Sequence, residues 1–365
     1  MSKIKISKPY IFPNLNKKIQ NRTVLAAMTN KQSHNNGIIS NDEINWLLER
    51  AKGGFGVITT AATNVSVEGK AWDGEFGVYE DSHIPNLIKL TSAIHQTESL
   101  IFAQLFHGGA KSPQKVTGFI PISASELSCK ESFTGKSKKA SESDIRKIIN
   151  DFTIGAIRCC NAGFDGIELH GAHGYLISQF LGKKTNLRND DWGGELENRS
   201  RLLVEILKSI RNSVPESFIV GVRISPEIVS LGIELSDSID LVGILRKESV
   251  DFIHLSCWDV FSNSNSIEND QKTFTEIITG SYKELPAIIS TGNVWSSLDA
   301  QNLLKQGADL VGVGRVAIGH PNWARKISDI DYAPKRPPFS SHELKKAKLN
   351  KTFISYMRNW NNFVK

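Results

Sequence analysis

The amino-acid sequence predicts a (β/α)8 barrel, and three observations favour that fold class. Apolar runs of strand length alternate with amphipathic stretches of helix length along most of the 365 residues. The alternation occurs eight times, which is the number of strands and helices in such a barrel. Polar or charged residues end most of the apolar runs, where a barrel of parallel strands carries its functional groups.

The predicted strands are the eight apolar runs at 24–28, 56–61, 101–105, 166–169, 219–224, 252–255, 287–290 and 310–313. The predicted helices follow them at 42–52, 83–96, 143–161, 196–212, 235–248, 274–279, 296–305 and 322–327. Two of these helices begin with capping signals, Ser141 followed by Asp144 and Ser296 followed by Asp299.

Two segments fall outside the regular alternation. Residues 108–140, after the third strand, are rich in Gly, Ser, Pro and Lys, and we expect a long loop on the catalytic rim. A helical pattern at 341–364 follows the proline-rich stretch 333–338. We therefore predict a barrel over residues 1–335 and a C-terminal helical extension, 336–365, packed on it.

The composition limits the classes of protein that the chain can represent. It is 40% hydrophobic, enough for a large core, and no apolar run is long enough to cross a bilayer. The N-terminus shows no secretory signal, and the four cysteines include no C-x-x-C pair, so we expect a cytoplasmic protein with reduced thiols. The net charge is +6, but the basic runs are short, so we expect no nucleic-acid or membrane partner. A homo-oligomer is compatible with the sequence.

The most informative segment is the fourth predicted strand with the turn that follows it. The run 166–169 leads directly into His170, His173 and Tyr175, and Gly171 and Gly174 break any helix there. Two imidazoles and a phenol on one tight turn can bind a polar oxygen and deliver a proton beside it. One histidine alone would more often be a hydrogen-bonded core residue, but the three together favour a functional site.

The ends of the last two strands predict a phosphate site. In this fold, the loops after strands seven and eight commonly cradle a phosphate. Gly292 and Gly314 would let the backbone N–H groups approach closely, with Arg315 adding a positive charge. The alternative is that these glycines only form tight turns.

Taken together, the motifs resemble the old yellow enzyme family of NAD(P)H:flavin oxidoreductases over nearly the whole chain. The matching stretches are 21–29, 103–107, 162–175, 191–199, 222–225 and 313–315. The most specific of them are the motif around His170 and the Gly193-Gly194 pair with Asn198-Arg199 that follows it.

The resemblance implies FMN as the cofactor and NADH or NADPH as the co-substrate. The FMN phosphate would be held by Gly292, Gly314 and Arg315, and Asn293 would also contact the cofactor. The remaining cofactor contacts that the resemblance implies are Gln104 and Arg223 on the isoalloxazine ring, Ala26, Ala27, Met28 and Thr29 beneath it, and Ala62.

The resemblance also implies the chemistry. His170 and His173, with Thr29 nearby, would bind the carbonyl oxygen of a small-molecule substrate, and Tyr175 would supply the proton. The activity would be the reduction of activated alkenes, such as α,β-unsaturated carbonyl compounds, by a ping-pong mechanism. Two positions depart from the family pattern, since Ala27 stands where Pro is frequent and Lys31 where one branch has an aromatic residue.

Three alternatives belong to other classes. A metal-dependent barrel enzyme could use His170 and His173 as ligands, but no third ligand accompanies them in the motif, and we expect no metal. A flavin barrel acting on RNA is suggested only by the basic charge. A non-catalytic interaction protein would leave the polar strand ends unexplained.

Overall fold

The computed structural model describes residues 5–12, 17–263 and 271–365 of the chain. Eight parallel strands form a closed barrel, and each pairs with the next along the chain until the eighth pairs with the first. The barrel strands, first to eighth, are Thr23–Leu25, Val57–Asn64, Leu100–Phe106, Gly166–Gly171, Ile219–Ile224, Phe252–Ser256, Ala287–Thr291 and Leu310–Val313. This confirms the predicted fold class.

Two strand boundaries differ from the prediction in ways that bear on the site. The first strand ends at Leu25, so residues 26–28 lie beyond it. The second strand continues to Asn64, with a register shift between Thr59 and Ala62. Ala62 therefore lies within this strand and not just past it, because the irregularity adds a residue and lets the pairing continue.

Helices surround the barrel in the predicted order. Those that follow the strands are Asn41–Lys52, Ile84–His95, Glu142–Asn161, Leu196–Arg211, Leu235–Leu245, Phe274–Ser281, Ser297–Lys305 and, after the eighth strand, Arg315–Gly319 and Trp323–Lys326. Both predicted capping signals form: the side chains of Ser141 and Ser296 accept hydrogen bonds from the N–H groups of Asp144 and Asp299.

The amino-terminal end of the barrel is filled by apolar side chains. Phe102 on the third strand stacks on Phe252 of the sixth, with ring centroids 5.5 Å apart, and these strands are not neighbours. The contact therefore crosses the barrel interior. Phe12, from an antiparallel hairpin of Tyr10–Phe12 and Lys17–Ile19 that the sequence analysis missed, packs against Phe102 at 6.2 Å. This end being closed, the carboxyl end is where the barrel can hold ligands.

The rim segment after the third strand is more structured than a loop. It contains a 3-10 turn at Gly109–Lys111, a short helix at Gln114–Thr117, and a parallel pair formed by Ile122–Ser123 and Lys138–Lys139.

The C-terminal region forms two short helices, Ser341–Lys346 and Lys351–Met357, where the sequence pattern predicted one continuous helix. The break falls at Lys348, whose φ of 67° is left-handed, and Asn350 caps the second helix. Phe353 packs on Trp46 with ring centroids 5.5 Å apart, and the buried Arg50 guanidinium donates to the Ala347 carbonyl at 2.7 Å. These contacts attach the region to the first barrel helix.

No helix among the described residues is both long and apolar enough to cross a membrane.

Candidate active site at the carboxyl end of the barrel

The turn after the fourth strand brings together the three side chains that the sequence predicts to be functional. The His170 ring lies 5.0 Å from that of His173 and 5.1 Å from that of Tyr175, between centroids. His173 and Gly174 have φ values of 61° and 74°, so the chain turns sharply through the left-handed region. Tyr175 then precedes the short helix Leu176–Leu181. The structure therefore places the three predicted residues in one cluster.

Hydrogen bonds around the two histidines define their donor atoms. His170 Nδ1 accepts the Ala172 N–H at 3.3 Å, so the proton of a neutral His170 is on Nε2. His173 Nε2 lies 2.7 Å from Ser256 Oγ, and that oxygen also accepts a hydrogen bond from Arg223 at 3.0 Å. The Ser256 hydroxyl can then donate to His173, which favours the proton on His173 Nδ1.

Both histidines are neutral near pH 7. Burial, followed by the neighbouring His173 and Arg223, lowers the pKa of His170 well below its ordinary value. His173 is partly exposed to solvent, but the protein packed around its ring and the charge of Arg223 lower its pKa as well. The pair can therefore donate hydrogen bonds to an oxygen without carrying positive charge.

Tyr175 keeps its phenolic proton and lies among aromatic side chains. Burial, with a smaller contribution from Glu75, raises the pKa of its phenol above the ordinary value, so the proton is retained at neutral pH. Its ring lies 4.6 Å from Phe106 and 6.5 Å from Trp72, between centroids. These aromatic walls fix the ring and limit the access of water to it.

Arg223 extends from the fifth strand toward the first. Its guanidinium donates to the Ala27 carbonyl at 3.2 Å and to Ser256, while its buried Nε has no hydrogen-bond partner among the described residues. Glu168 is the anionic group that most favours the charged form of Arg223. The Arg223 side chain therefore retains a donor in the site for an additional acceptor.

A buried chain of four polar side chains runs beneath this end of the barrel. Gln104 Nε2 donates to Glu168 at 2.7 Å, Glu168 meets His254 Nδ1 at 2.5 Å, and His254 Nε2 lies 2.6 Å from Thr291 Oγ1. Burial would raise the pKa of Glu168, but His254, Arg223 and Gln104 outweigh it and the pKa is lowered. Glu168 is therefore an ionised carboxylate, and its contact with Gln104 leaves the amide oxygen of Gln104 as an acceptor.

The predicted phosphate residues meet where the seventh and eighth strands end. Arg315 donates to Asn293 at 3.4 Å, and its guanidinium lies 5.5 Å from the centre of the Trp258 ring. Asn293 in turn donates to Asp259 at 2.9 Å. A Cβ atom on Gly292 would lie 2.5 Å from the Cys257 carbonyl oxygen, so close packing of the chain alone requires glycine there.

The residues after the first strand lie between these groups. Ala26 is buried, Ala27 carries the carbonyl that Arg223 contacts, and the Met28 sulfur would lie 3.1 Å from a Cβ atom on Gly314. Burial raises the pKa of Tyr356 in the last helix, and the Thr29 side chain near its phenol opposes this. Lys31, where one branch of the family has an aromatic residue, has its ammonium 5.4 Å from the centre of the Tyr356 ring. Tyr356 thus brings an aromatic side chain to this edge of the site.

The donor and acceptor groups fit FMN. The unpartnered Nε of Arg223 suits a ring carbonyl, the Gln104 amide oxygen suits a ring N–H, and Arg315 suits a phosphate. Within the described ranges, no group of three or more His, Cys, Asp or Glu side chains is arranged to hold a metal ion.

Comparison with known proteins identifies the class. Residues 8–331 match the model of the NADH:flavin oxidoreductase / NADH oxidase family, and the chain belongs to that family. It is an NAD(P)H-dependent flavin oxidoreductase of the old yellow enzyme type, with FMN as cofactor.

Individual relatives agree with this assignment. The Bacillus subtilis (strain 168) protein named "Probable NADH-dependent flavin oxidoreductase YqiG" is 32% identical over 85% of this chain and 84% of its own length. An NADH:acrylate oxidoreductase of Vibrio harveyi is 33% identical over 85% of this chain, but the match covers only 32% of that protein. Among solved structures, the old yellow enzyme homologue from Zymomonas mobilis superposes with a TM-score of 0.78 at 26% identity, covering 91% of this chain and 94% of that one.

Several residues of the site were not predicted from the sequence. Glu168 and His254 are polar residues inside strands that are otherwise apolar, and this was a usable signal, since a buried charge requires a partner. Ser256, Lys111 and Tyr356 gave no such signal, because only the folded chain brings them to the site.

Proposed function

We propose that this flavin oxidoreductase reduces electron-poor alkenes, such as α,β-unsaturated carbonyl compounds, in a ping-pong reaction with NADH or NADPH. The observation that carries the proposal is the turn of His170, His173 and Tyr175, which combines two neutral N–H donors with a protonated phenol. An oxygen-binding pair beside a proton donor is what the reduction of a conjugated carbonyl compound requires.

The FMN-binding residues in this proposal are those that line the barrel mouth. Gln104 and Arg223 would hold the ring system, Ala62 and residues 26–29 would pack against it, and Gly292, Asn293, Gly314 and Arg315 would hold the phosphate. When bound, FMN would supply the hydride chemistry, carrying a hydride from NADH or NADPH to the second substrate. The proposal assigns residues 1–335 to the FMN-binding barrel and residues 336–365 to the C-terminal helical extension.

The chain's own residues divide the remaining work. His170 and His173 bind the carbonyl oxygen, which withdraws electron density from the conjugated alkene and stabilises the negative charge that develops there. Tyr175 transfers its phenolic proton to the α-carbon, while the β-carbon receives the hydride. The resulting tyrosinate regains a proton from solvent, which completes the proton balance.

The names of two relatives support this class of substrate. Besides the acrylate oxidoreductase, an NADH:fumarate oxidoreductase of Klebsiella pneumoniae (strain 342) is 31% identical over 89% of this chain, which covers 36% of that protein. Acrylate and fumarate, the substrates in these names, are both conjugated unsaturated carboxylates. We also propose that the enzyme is soluble and cytoplasmic and that it can form homo-oligomers.

Tyr175→Phe tests the proposed function. General acid catalysis typically contributes about 10²–10⁴-fold, so enone reduction should slow by roughly that factor. Flavin reduction by NADH or NADPH requires no proton from the phenol and should be nearly unchanged. Stopped-flow measurement of the two half-reactions separates the steps. Equal losses in both, or no loss in enone reduction, would contradict the assignment of Tyr175 as the acid.

A further inference from the structure

Lys111, from the rim segment that follows the third strand, lies beside the proton donor. Its ammonium donates a hydrogen bond to the His173 carbonyl at 2.7 Å and lies 4.9 Å from the centre of the Tyr175 ring. Among the described residues, no other cationic side chain lies over the Tyr175 ring. A positive charge is therefore in direct contact with the ring that must become negative when it gives up its proton.

The rim segment holds Lys111 in this position through several backbone contacts. Lys111 ends the 3-10 turn that begins at Gly109, and the preceding Ala110 N–H donates to Gln179 Oε1 at 3.0 Å. The same Gln179 donates from Nε2 to the Gly174 carbonyl at 2.9 Å. One buried amide thus connects the rim turn to the turn that carries His173 and Tyr175.

Gly174 provides the space for the ammonium group. A Cβ atom at this position would lie 3.2 Å from Lys111 Nζ, closer than most real Cβ contacts, and the φ of Gly174 is left-handed at 74°. The glycine therefore serves both the sharp turn and the approach of Lys111.

We propose that Lys111 is a positioning residue for proton transfer, which stabilises the negative charge that develops on Tyr175 as its O–H bond breaks and the α-carbon–hydrogen bond forms. This inference rests on the proposed function of Tyr175 as the acid. A cation over an aromatic face interacts more strongly with a phenolate than with a neutral phenol, because the ring then carries a full negative charge. Lys111 should accordingly accelerate protonation of the substrate and leave hydride transfer unaffected.

The test uses the FMN-loaded enzyme and the variant Lys111→Met, which keeps the length of the side chain and removes its charge. From the usual strength of cation–π contacts, we expect enone reduction to slow roughly three- to thirtyfold and flavin reduction by NADH to remain within about twofold. Lys111→Arg should restore most of the rate, since a guanidinium retains both the charge and the donor. Lys115→Met, at an exposed site on the same rim segment, is the matched control and should behave as the wild type.

A double-mutant cycle separates this inference from the proposed function. In the Tyr175→Phe background, Lys111→Met should cause no further loss, because no phenolate forms there. An equal loss in both backgrounds would overturn the role of Lys111 while leaving that of Tyr175 intact. A Tyr175→Phe variant that reduces enones normally would instead overturn the proposed function. A Lys111→Met effect confined to the KM of carboxylate substrates would also refute the inference, because Lys111 would then bind substrate directly.

Discussion

Glu168 provides the most direct test of how the barrel interior supports the site. The carboxylate is 1% exposed, accepts a hydrogen bond from Gln104 at 2.7 Å, meets His254 at 2.5 Å and offsets the charge of Arg223. Glu168→Gln keeps the shape of the side chain but removes its negative charge. Only one side-chain oxygen then remains to accept from both Gln104 and His254. Glu168 is the anion that most favours the charged form of the buried Arg223, and leaving a buried charge without its counter-charge costs up to about 3–5 kcal/mol, whereas an unsatisfied buried donor costs about 1–3 kcal/mol. Since the amide retains part of the hydrogen bonding, we expect a loss of about 3 kcal/mol.

Equilibrium urea unfolding at pH 7 measures this loss, with Glu216→Gln at an exposed position as the control. The stabilisation that Glu168 provides depends on pH, and the direction of this dependence follows from the lowered pKa of Glu168 in the folded protein. The stabilisation is fully present above the ordinary glutamate pKa of 4.5 and declines at lower pH as the folded carboxylate is protonated. If Glu168→Gln unfolded at the same urea concentration as Glu216→Gln at pH 7, the charge network would not stabilise the barrel.

Two further predictions concern the phosphate site and a second buried carboxylate. Arg315→Ala should weaken FMN binding roughly ten- to a hundredfold, because a charge-assisted phosphate contact is worth about 1.5–3 kcal/mol. Fluorescence titration of FMN-depleted protein measures this affinity. Unchanged affinity would exclude Arg315 from the phosphate site. Burial raises the pKa of Glu43 to about 7, although hydrogen bonds from Ser33 and Asn30 oppose the increase. Between pH 4.5 and 7, Glu43 is therefore protonated in the folded protein and ionised in the unfolded chain. Glu43→Gln should therefore match the wild type in urea unfolding at pH 4.5 and exceed its stability at pH 8, and a constant difference between the two pH values would contradict the raised pKa.

The barrel was predictable from the sequence because its strands are buried on both faces and appear as continuous apolar runs. The hairpin of Tyr10–Phe12 and Lys17–Ile19 was missed, since strands of three residues are too short to show a period. The bulge before Ala62 and the break at Lys348 depend on backbone geometry that ordinary residues adopt only in a tertiary context.

The candidate site divides in the same way. His170, His173 and Tyr175 lie within six residues of one another, so a local motif was enough to predict their proximity. Their partners come from distant parts of the chain: Ser256 from the sixth strand and Lys111 from the rim segment. No sequence spacing encodes those contacts, because they arise only when the barrel closes and places the strand ends side by side.

The electrostatics of the turn support the proposed role of Tyr175 as the proton donor over the two histidines. Because burial and nearby positive charges keep His170 and His173 neutral, each has only an imidazole N–H to offer. Losing that proton would create an imidazolate, a far stronger base than a phenolate, so a neutral imidazole can bind an oxygen but cannot act as its acid. The phenol of Tyr175 retains its proton at neutral pH but is a stronger acid than a neutral imidazole, and a nearby ammonium can stabilise its anion. The burial that prevents protonation of the histidines also keeps the proton on the phenol, which supports the proposal that Tyr175 is the proton donor.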